Sequence, residues 1–263
     1  MPTEQQVPIG AVVVAIANPI VRRALGDAFR HRGVLELDEL HDYEQLKQIL
    51  KNACIDVLVA DDNLNDLFVG DLVRAIRQGE LHEHPFPLII MLAHRQEEKD
   101  LRALINSGPD AVVLTPISVA ALTQKIEMLA AGRKQFVITR DYVGPDRRTA
   151  ARAGSAPALT LDAPNPLQAG ADRGAFNAAL DKAKINLKEK KTECSLGQLA
   201  WAMQGNITEF SQLIPIVDQL VETVANPNIK AAAMTLAQAL RKDERMEIMD
   251  ACKALLMVAR KKR

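Results

Sequence analysis

The N-terminal half of the chain alternates short apolar runs with longer segments of helical periodicity, and this alternation constrains the fold most strongly. The apolar runs occupy residues 9–16, 34–37, 55–60, 88–92 and 111–114. Short runs rich in Val, Ile and Leu are typical of strands that are buried on both faces of a parallel sheet. Five such strands alternating with five helices over about 130 residues predict an α/β fold with a doubly wound parallel sheet.

Asp61 comes directly after the third apolar run, so it is expected at the C-terminal end of the third strand. Open α/β sheets bind their ligands in crevices outside the carboxyl ends of the strands. Asp61 is therefore the first candidate for a functional carboxylate. The alternative is a structural role, in which Asp61 caps the segment that follows the strand.

Three short sequences in this half resemble the receiver domain of bacterial two-component response regulators. They are Asp-Val-Leu-Val-Ala-Asp ending at Asp61, Ser-Gly-Pro-Asp at residues 107–110, and Thr-Pro-Ile starting at Thr115. The resemblance covers residues 9–132 and implies a flavodoxin-like sheet with strand order 2-1-3-4-5. It places Asp61 at the phospho-acceptor position and implies a cis peptide bond between Thr115 and Pro116.

The same resemblance implies that the phosphorylation site is degenerate. In the family, two acidic residues after strand 1 help to bind a divalent cation, and a lysine ends strand 5. Here Ile16 and Ala17 stand at the acidic positions, and Thr115 stands at the lysine position. One carboxylate holds Mg²⁺ poorly, because this cation requires near-octahedral oxygen coordination. The resemblance therefore implies a pseudo-receiver that needs no cofactor.

A hydroxyl side chain ends strand 4 in the family, and its counterpart here depends on the direction of counting. Counting back from Gly108 gives Ala93, whereas counting forward from Pro87 gives Leu92. Both are apolar, so the hydroxyl group is missing in either case. The predicted degenerate site consists of Ile16, Ala17, Ala93, Thr115 and Pro116 around Asp61.

Two alternatives to a non-catalytic adaptor stay open at this point. In the first alternative, the chain is a working response regulator that accepts phosphate on Asp61 by an atypical route with Mg²⁺. In the second alternative, it is a structural dimeric scaffold. In the first case Asp62 and Asp66 are candidates to replace the missing cation ligands beside Asp61. His94, directly after the fourth strand, either forms a hydrogen bond with Asp61 or faces water.

The helical pattern decays after Gly132, and residues 150–174 are dense in Ala, Pro and Gly without periodicity, so residues 133–174 are predicted to form a disordered linker. The segment includes Asp-Tyr-Val-Gly-Pro-Asp-Arg-Arg at residues 141–148, which resembles a short tail of bacterial signalling proteins that carry receiver-type domains. Tyr142 is a candidate aromatic anchor, and Arg147 and Arg148 are candidate bidentate donors to carboxylates. We expect this segment either to contact an acidic face of this protein or a partner, or to be a solvated charged linker.

Residues 175–263 show only helical periodicity and predict an all-α bundle suited to binding a partner helix or a second copy. All five histidines precede residue 95, which excludes a phosphotransfer bundle with a phosphate-carrying histidine. The chain has no Lys or Arg between Lys191 and Lys230, which argues against a DNA-recognition helix. Trp201 is interpreted as a core residue, with the anchor of a partner groove as the alternative.

Charge and cysteine usage favour a cytoplasmic protein that binds neither membranes nor nucleic acid. The formal net charge is zero, so the chain has no overall field for anionic surfaces. Residues 9–17 are the longest apolar run and are too short to span a bilayer. The three cysteines are widely spaced, which predicts reduced, buried thiols.

The expected partners are a histidine kinase or another signalling protein, or a second copy bound through residues 96–131 or the bundle.

Overall fold

The computed structural model describes residues 10–81, 84–94, 97–148, 158–168, 173–206, 209–242 and 244–260. The chain divides into two compact units. The first comprises residues up to 137 together with residues 142–156 and 160–184, and the second comprises residues 138–141, 157–159 and 185–263. The two domain boundaries expected from the sequence, before residues 133 and 175, stay a prediction.

A five-stranded parallel sheet forms the centre of the first unit. Its strands are β1 (Ala11–Ala15), β2 (Glu36–Leu40), β3 (Val57–Asp61), β4 (Leu88–Ala93) and β5 (Ala111–Leu114). The strand order is β2-β1-β3-β4-β5, which confirms the predicted order. β2 begins two residues later than the apolar run at 34–37, because an edge strand is partly solvated and tolerates Asp38 and Glu39.

Five helices cover the two faces of this sheet. They are α1 (Pro19–His31), α2 (Tyr43–Asn52), α3 (Gly70–Gln78), α4 (Glu98–Asn106) and α5 (Val119–Ala131). Alternate strand residues bury opposite faces. One apolar layer includes Val14, Val59 and Ile90 with Leu25 of α1 and Leu122 of α5, and the other includes Val13, Leu58 and Ile89 with Leu46 of α2, Val73 of α3 and Leu104 of α4. The sheet is therefore doubly wound, as predicted.

The described residues between α5 and the next helix carry secondary structure, in contrast to the disordered linker that composition predicted. They form three short strands, β6 (Phe136–Ile138), β7 (Val143–Pro145) and β8 (Leu159–Leu161), in the order β8-β6-β7. The side-chain amides of Asn165 and Gln168 donate to the carbonyl oxygens of Leu129 and Ala130, at 2.8 and 2.9 Å. These two amides therefore satisfy carbonyl groups in the last turn of α5.

Four longer helices follow: α6 (Arg173–Trp201), α7 (Ile214–Thr223), α8 (Pro227–Lys242) and α9 (Arg245–Arg260). α6 is continuous over 29 residues, and Ser195 lies inside it and is 1% exposed. The helix continues because residues 188–194 contain no Gly or Pro that would end it.

The second unit has its own apolar core. Its buried residues include Leu199, Leu213, Val217, Leu220, Leu236, Ile248, Cys252 and Leu255. Asn226 begins α8 as a side-chain cap, accepting from the backbone N–H groups of Asn228 and Ile229. Asp243 and residues 261–263 lie outside the described residues.

Trp201 and Cys54 are much more exposed than the sequence predicted. Trp201 is 57% exposed, so it is not a core residue. Cys54 is exposed rather than buried, although Cys252 is buried and Cys54, Cys194 and Cys252 are all free thiols. Both errors have the same cause: each residue lies where an element ends, and periodicity is a poor guide to burial there. Within the described ranges, no helix combines the length and apolar character needed to cross a bilayer.

Candidate functional site

Asp61 is the last residue of β3, and its side chain is buried at the carboxyl edge of the sheet. The residue is only 2% exposed. The backbone N–H of Ala17 donates to Oδ2 of Asp61 at 2.8 Å, and Nε2 of His94 lies 2.8 Å from Oδ1. Each carboxylate oxygen therefore has a nitrogen partner supplied by the protein itself.

His94 connects Asp61 to Thr115, and the hydrogen bond to Asp61 that the sequence left open is confirmed. Nδ1 of His94 lies 3.0 Å from the hydroxyl oxygen of Thr115, which lies 3.1 Å from the carbonyl oxygen of Ala93. With a neutral ring, Nε2–H donates to Asp61 and the Thr115 hydroxyl donates to Nδ1. With a protonated ring both nitrogens donate, and the hydroxyl donates to Ala93. Both arrangements keep a donor on Asp61.

The residues at the expected cation-binding positions offer no acidic side chain. Ile16 is buried, and Ala17 directs an N–H group at Asp61, where a metal site requires an oxygen. The carbonyl oxygens of Ile16 and Ala17 accept hydrogen bonds from the guanidinium of Arg22, at 2.5 and 3.2 Å. A cationic side chain therefore already occupies the backbone acceptors of this loop.

The two substitute carboxylates suggested by the sequence do not complete a cation site. Asp62 accepts the backbone N–H of His94 at 3.1 Å. Asp66 is exposed in the turn of a small hairpin, where Asn65 and Asp66 both have positive φ, as a type I′ turn requires. Across the described parts of the chain, no group of three or more His, Cys, Asp and Glu side chains is placed to hold a metal ion. The donor set does not fit Mg²⁺.

The two candidates for the hydroxyl position, Leu92 and Ala93, lie on opposite sides of the sheet. Asp61 pairs with Leu92 in the β3–β4 register, and Leu92 belongs to the apolar layer on the side of α1 and α5. Ala93 belongs to the opposite layer. Leu92 therefore lies on the side of the sheet that faces the cavity beside Asp61, whereas Ala93 faces the other side, because alternate residues of a strand face opposite sides. Which of the two corresponds to the hydroxyl position stays a prediction.

A cavity of about 350 Å³ opens beside Asp61. It is lined by Ile16, Asn18, Val21, Asp61, Leu92, His94, Thr115, Pro116 and Ile117. The peptide bond between Thr115 and Pro116 is cis, as expected. The walls are mainly apolar, and Asp61 is the one acidic side chain among the lining residues. The cavity therefore combines mainly apolar walls with one buried carboxylate and the imidazole of His94.

The segment from Tyr142 to Arg148 lies against the loop between α4 and β5. The guanidinium of Arg147 donates to the carbonyl oxygen of Pro109 at 2.6 Å, and Arg148 pairs with Asp146 at 2.6 Å. Arg148 lowers the pKa of Asp146 to about 2, chiefly by this side-chain hydrogen bond. Burial raises the pKa of Tyr142, whose hydroxyl donates to Pro145. Among the described residues, Arg147 therefore contacts a backbone carbonyl group and not an acidic face of this protein.

A buried ionic cluster that the sequence analysis did not identify lies behind this segment. Asp110 pairs with Arg77 at 2.8 Å and with Arg133 at 2.7 Å, and the three side chains are 1–3% exposed. The ring of Phe136 lies 5.0 Å from the Arg77 guanidinium and 4.7 Å from that of Arg133. A detectable signal was Arg77 itself, because it occupies the apolar stripe of α3 four residues after Val73.

The pKa values of Asp110 and Arg77 are both shifted in this cluster. Burial opposes ionisation of Asp110, but Arg133 and Arg77 outweigh it and hold the pKa of Asp110 below its usual value. Burial lowers the pKa of Arg77 to about 10, against the attraction of Asp110. Two arginines share a single carboxylate, so the cluster carries a net charge of one positive unit when all three groups are ionised.

The known proteins that are similar to this chain match less than half of it. No protein-family model matches the chain. It is 27% identical over 109 residues to the chemotaxis protein CheY of Pseudomonas aeruginosa, covering 41% of this chain and 86% of that protein. Solved structures similar to it include CheY4 of Vibrio cholerae, at 18% identity and TM-score 0.40 over 45% of this chain and 98% of that one. The receiver domain of the regulator TorR matches at 23% identity and TM-score 0.40, over 46% and 96%.

Proposed function

We propose that the first unit is a receiver domain of two-component signalling that has lost cation-dependent phosphorylation, and that the chain is a non-catalytic signalling adaptor. The observation that carries this proposal is the occupation of both Asp61 oxygens by nitrogen donors, from Ala17 and His94. The sequence similarity to CheY supports the signalling context. The adaptor then acts through contacts with other proteins.

Phosphorylation of Asp61 would need three things that the described site does not offer. An oxygen of Asp61 must approach the phosphorus atom of the phosphodonor, but Oδ1 is hydrogen-bonded to His94. A cation must neutralise the phosphoryl oxygens in the transition state, but Ile16 and Ala17 supply no carboxylate. A cationic side chain would stabilise the product, but Thr115 stands at the lysine position. All three deficits disfavour the same step, so they reinforce one another.

Two surfaces are proposed for partner binding, by a histidine kinase, another signalling protein or a second copy. One comprises α4, β5 and α5, where Leu114 and Met128 are exposed. The other is the helical unit, where Trp201, Met234, Met246 and Met257 are exposed. Exposed methionine and tryptophan side chains are adaptable contacts for a partner protein. We propose the helical unit as the interaction module.

Intact-mass measurement after incubation with MgCl₂ and acetyl phosphate tests the loss of phosphorylation. We expect no adduct, while a phosphorylatable receiver treated in parallel gains one phosphoryl group. A stoichiometric adduct that is present in Asp62→Asn but absent in Asp61→Asn would overturn the proposal. It would establish the alternative function, an atypical response regulator.

The alternative of a phosphorylatable site has one observation in its favour, which is the cavity of about 350 Å³ beside Asp61. That space admits a phosphoryl group if His94 rotates away from the carboxylate. The same incubation of His94→Ala tests this route: we expect no adduct, because the cation ligands are still missing. The second alternative, a dimeric scaffold, is tested by light scattering of the full chain with size separation.

A further inference from the structure

We propose that the segment from Tyr142 to Arg148 forms, with the end of α4, a binding cleft for a carboxylate of a partner protein. The cleft has a volume of about 310 Å³. Its apolar lining consists of Ile105, Val137 and Pro145. Its polar lining consists of Asn106, Tyr142, Asp146, Arg147 and Arg148. It is distinct from the cavity at Asp61, with which it shares no lining residue.

Arg147 is the cation that points to an anionic ligand. Its Nη2 donates to the carbonyl oxygen of Pro109, and its side chain also contacts the hydroxyl of Tyr142. Among the described residues Arg147 forms no ion pair, and its buried Nε has no hydrogen-bond acceptor. A guanidinium group satisfied only by neutral partners retains its full charge for a ligand, and carboxylates are its preferred planar partners.

The surrounding charges do not cancel that of Arg147. Arg148 and Asp146 neutralise each other through their side-chain pair. The cluster of Arg77, Arg133 and Asp110 adds a further positive unit behind the segment. The described part of this region therefore has an excess of positive charge, and a negative ligand complements it.

The apolar lining decides which anion fits best. Ile105, Val137 and Pro145 provide surface for an aliphatic or aromatic side chain next to the charged group. A free phosphate would leave that surface uncovered, whereas an acidic residue beside an apolar one in a protein segment uses both parts. We therefore assign the cleft to an Asp, a Glu or a terminal carboxylate that is adjacent to an apolar side chain.

The backbone of the segment is held in place before any ligand binds. Gly144 lies so close to Gly108 that a Cβ atom on Gly144 would be 2.8 Å from the Cα of Gly108. The Tyr142 hydroxyl closes the turn by donating to Pro145 at 2.9 Å. A preformed cleft loses less conformational entropy on binding, which favours affinity.

This inference rests on the proposed adaptor function in one respect only, which is that the carboxylate belongs to another protein. The two proposals fail separately. An adduct on Asp61 would overturn the loss of phosphorylation and leave the cleft unaffected. A lack of carboxylate binding would overturn the cleft and say nothing about Asp61.

Titration of the ¹⁵N-labelled full chain with sodium N-acetyl-leucinate, followed by amide chemical shifts, tests the cleft. We expect saturable shifts confined to residues 105–109 and 142–148, with a dissociation constant of about 1 mM for so small a probe. N-acetyl-leucinamide has the same apolar side chain without the charge, and inorganic phosphate has charge without the side chain. We expect at least about tenfold weaker binding of both. Equal binding of the amide, equal binding of phosphate, or no saturable binding of the carboxylate would overturn the proposal.

Variants identify the side chain responsible. Arg147→Gln is expected to weaken binding of N-acetyl-leucinate by about tenfold, whereas Arg102→Gln, at an exposed arginine of α4 that does not line the cleft, is expected to change it by less than about twofold. Ile105→Trp fills the cleft without removing a charge and is also expected to abolish binding. It replaces Arg147→Gln as the deciding variant if the latter loses its native amide spectrum. Binding that survives both Arg147→Gln and Ile105→Trp would contradict the assignment.

Discussion

The imidazole of His94 forms a hydrogen bond with the carboxylate of Asp61, and Nε2 of the histidine lies 2.8 Å from Oδ1. Asp61 is almost fully buried, whereas the His94 side chain is 49% exposed. The histidine therefore lies between the buried acid and solvent. This one contact joins the loop after β4 to the end of β3.

Replacing His94 by Ala should destabilise the first unit modestly. The substitution leaves Oδ1 of Asp61 without its nitrogen partner, and we expect a loss of about 1 kcal/mol, because water can enter the adjoining cavity. Urea unfolding measures the change, with His41→Ala as a control at an exposed loop position. If His94→Ala is equally destabilising in an Asp61→Asn background, the two side chains are not coupled and the contact has no energetic role.

The sequence predicts the sheet well, because each buried strand is an uninterrupted apolar run between helical segments. The strand order follows from the receiver resemblance and is confirmed. Counting alone was not sufficient at the end of β4, because a shift of one residue between Leu92 and Ala93 changes the face of the sheet. The contact of His94 with Asp61 was one of two alternatives that the sequence could state but not decide.

The rest of the first unit depends on contacts between distant residues, which local patterns do not show. Arg133 lies 23 residues from Asp110 and donates to both of its oxygens. Composition indicated a linker after α5, but the sequence there includes a Phe and two Arg residues that are buried or half-buried in the folded chain. Such burial follows from ion pairing with Asp110 and has no periodic signature.

Replacing Arg133 by Met should destabilise the first unit strongly. Arg133 donates to Asp110, Phe86, Pro87 and Pro164, and removing it leaves a buried carboxylate with one cation instead of two. We expect a loss of about 3–5 kcal/mol, the usual cost of breaking a buried ion pair. Urea unfolding measures it. Arg102→Met, which breaks an exposed pair with Glu98, is the matched control, with an expected loss below about 0.5 kcal/mol.

If Arg133→Met costs no more than this control, the cluster does not hold the segment after α5 in place. The region would then be a linker after all, as its composition indicated.

Gly144→Ala should destabilise the chain by about 1–3 kcal/mol, because a Cβ atom at this position would overlap with backbone and side-chain atoms. The nearest are the hydroxyl oxygen of Tyr142 at 2.7 Å and the Cα of Gly108 at 2.8 Å. Thermal unfolding measures the effect. A Cβ on Gly132 meets no atom within 4 Å, so Gly132→Ala is the control, with an expected change within about 0.5 kcal/mol. Equal melting temperatures for the two variants would show that the segment does not pack on the loop at Gly108.

Iodoacetamide should modify the three thiols at different rates in the folded protein. Cys54 is exposed, burial raises the pKa of Cys194, and burial raises the pKa of Cys252 to about 11. Because the thiolate is the reactive form, we expect the order Cys54, then Cys194, then Cys252. Peptide mass spectrometry after timed labelling measures the order, with the unfolded chain as the control in which all three react. Labelling of Cys252 as fast as that of Cys54 in the folded chain would contradict its burial.

Acid should remove the stabilisation provided by Asp110. Its pKa is lowered in the folded chain, because Arg133 and Arg77 outweigh the opposing effect of burial. A carboxyl group with a depressed folded pKa contributes stability that is fully present above its unfolded pKa, about 4, and is lost as the pH falls through the folded value. We therefore expect the free energy of unfolding of the wild type to exceed that of Asp110→Asn by a margin that is constant near neutral pH and shrinks below about pH 4.

Urea unfolding of both proteins at a series of pH values measures this margin. Asp146→Asn is the matched comparison, since Arg148 lowers the pKa of Asp146 to about 2 but the pair lies at the surface, where solvent screens it. The acid-sensitive margin should therefore be larger for Asp110 than for Asp146. A margin for Asp110→Asn that does not change with pH would mean that Asp110 has the same proton affinity in the folded and unfolded chains. The two arginines would then not stabilise its ionised form, and the segment after α5 would be held by apolar contacts alone.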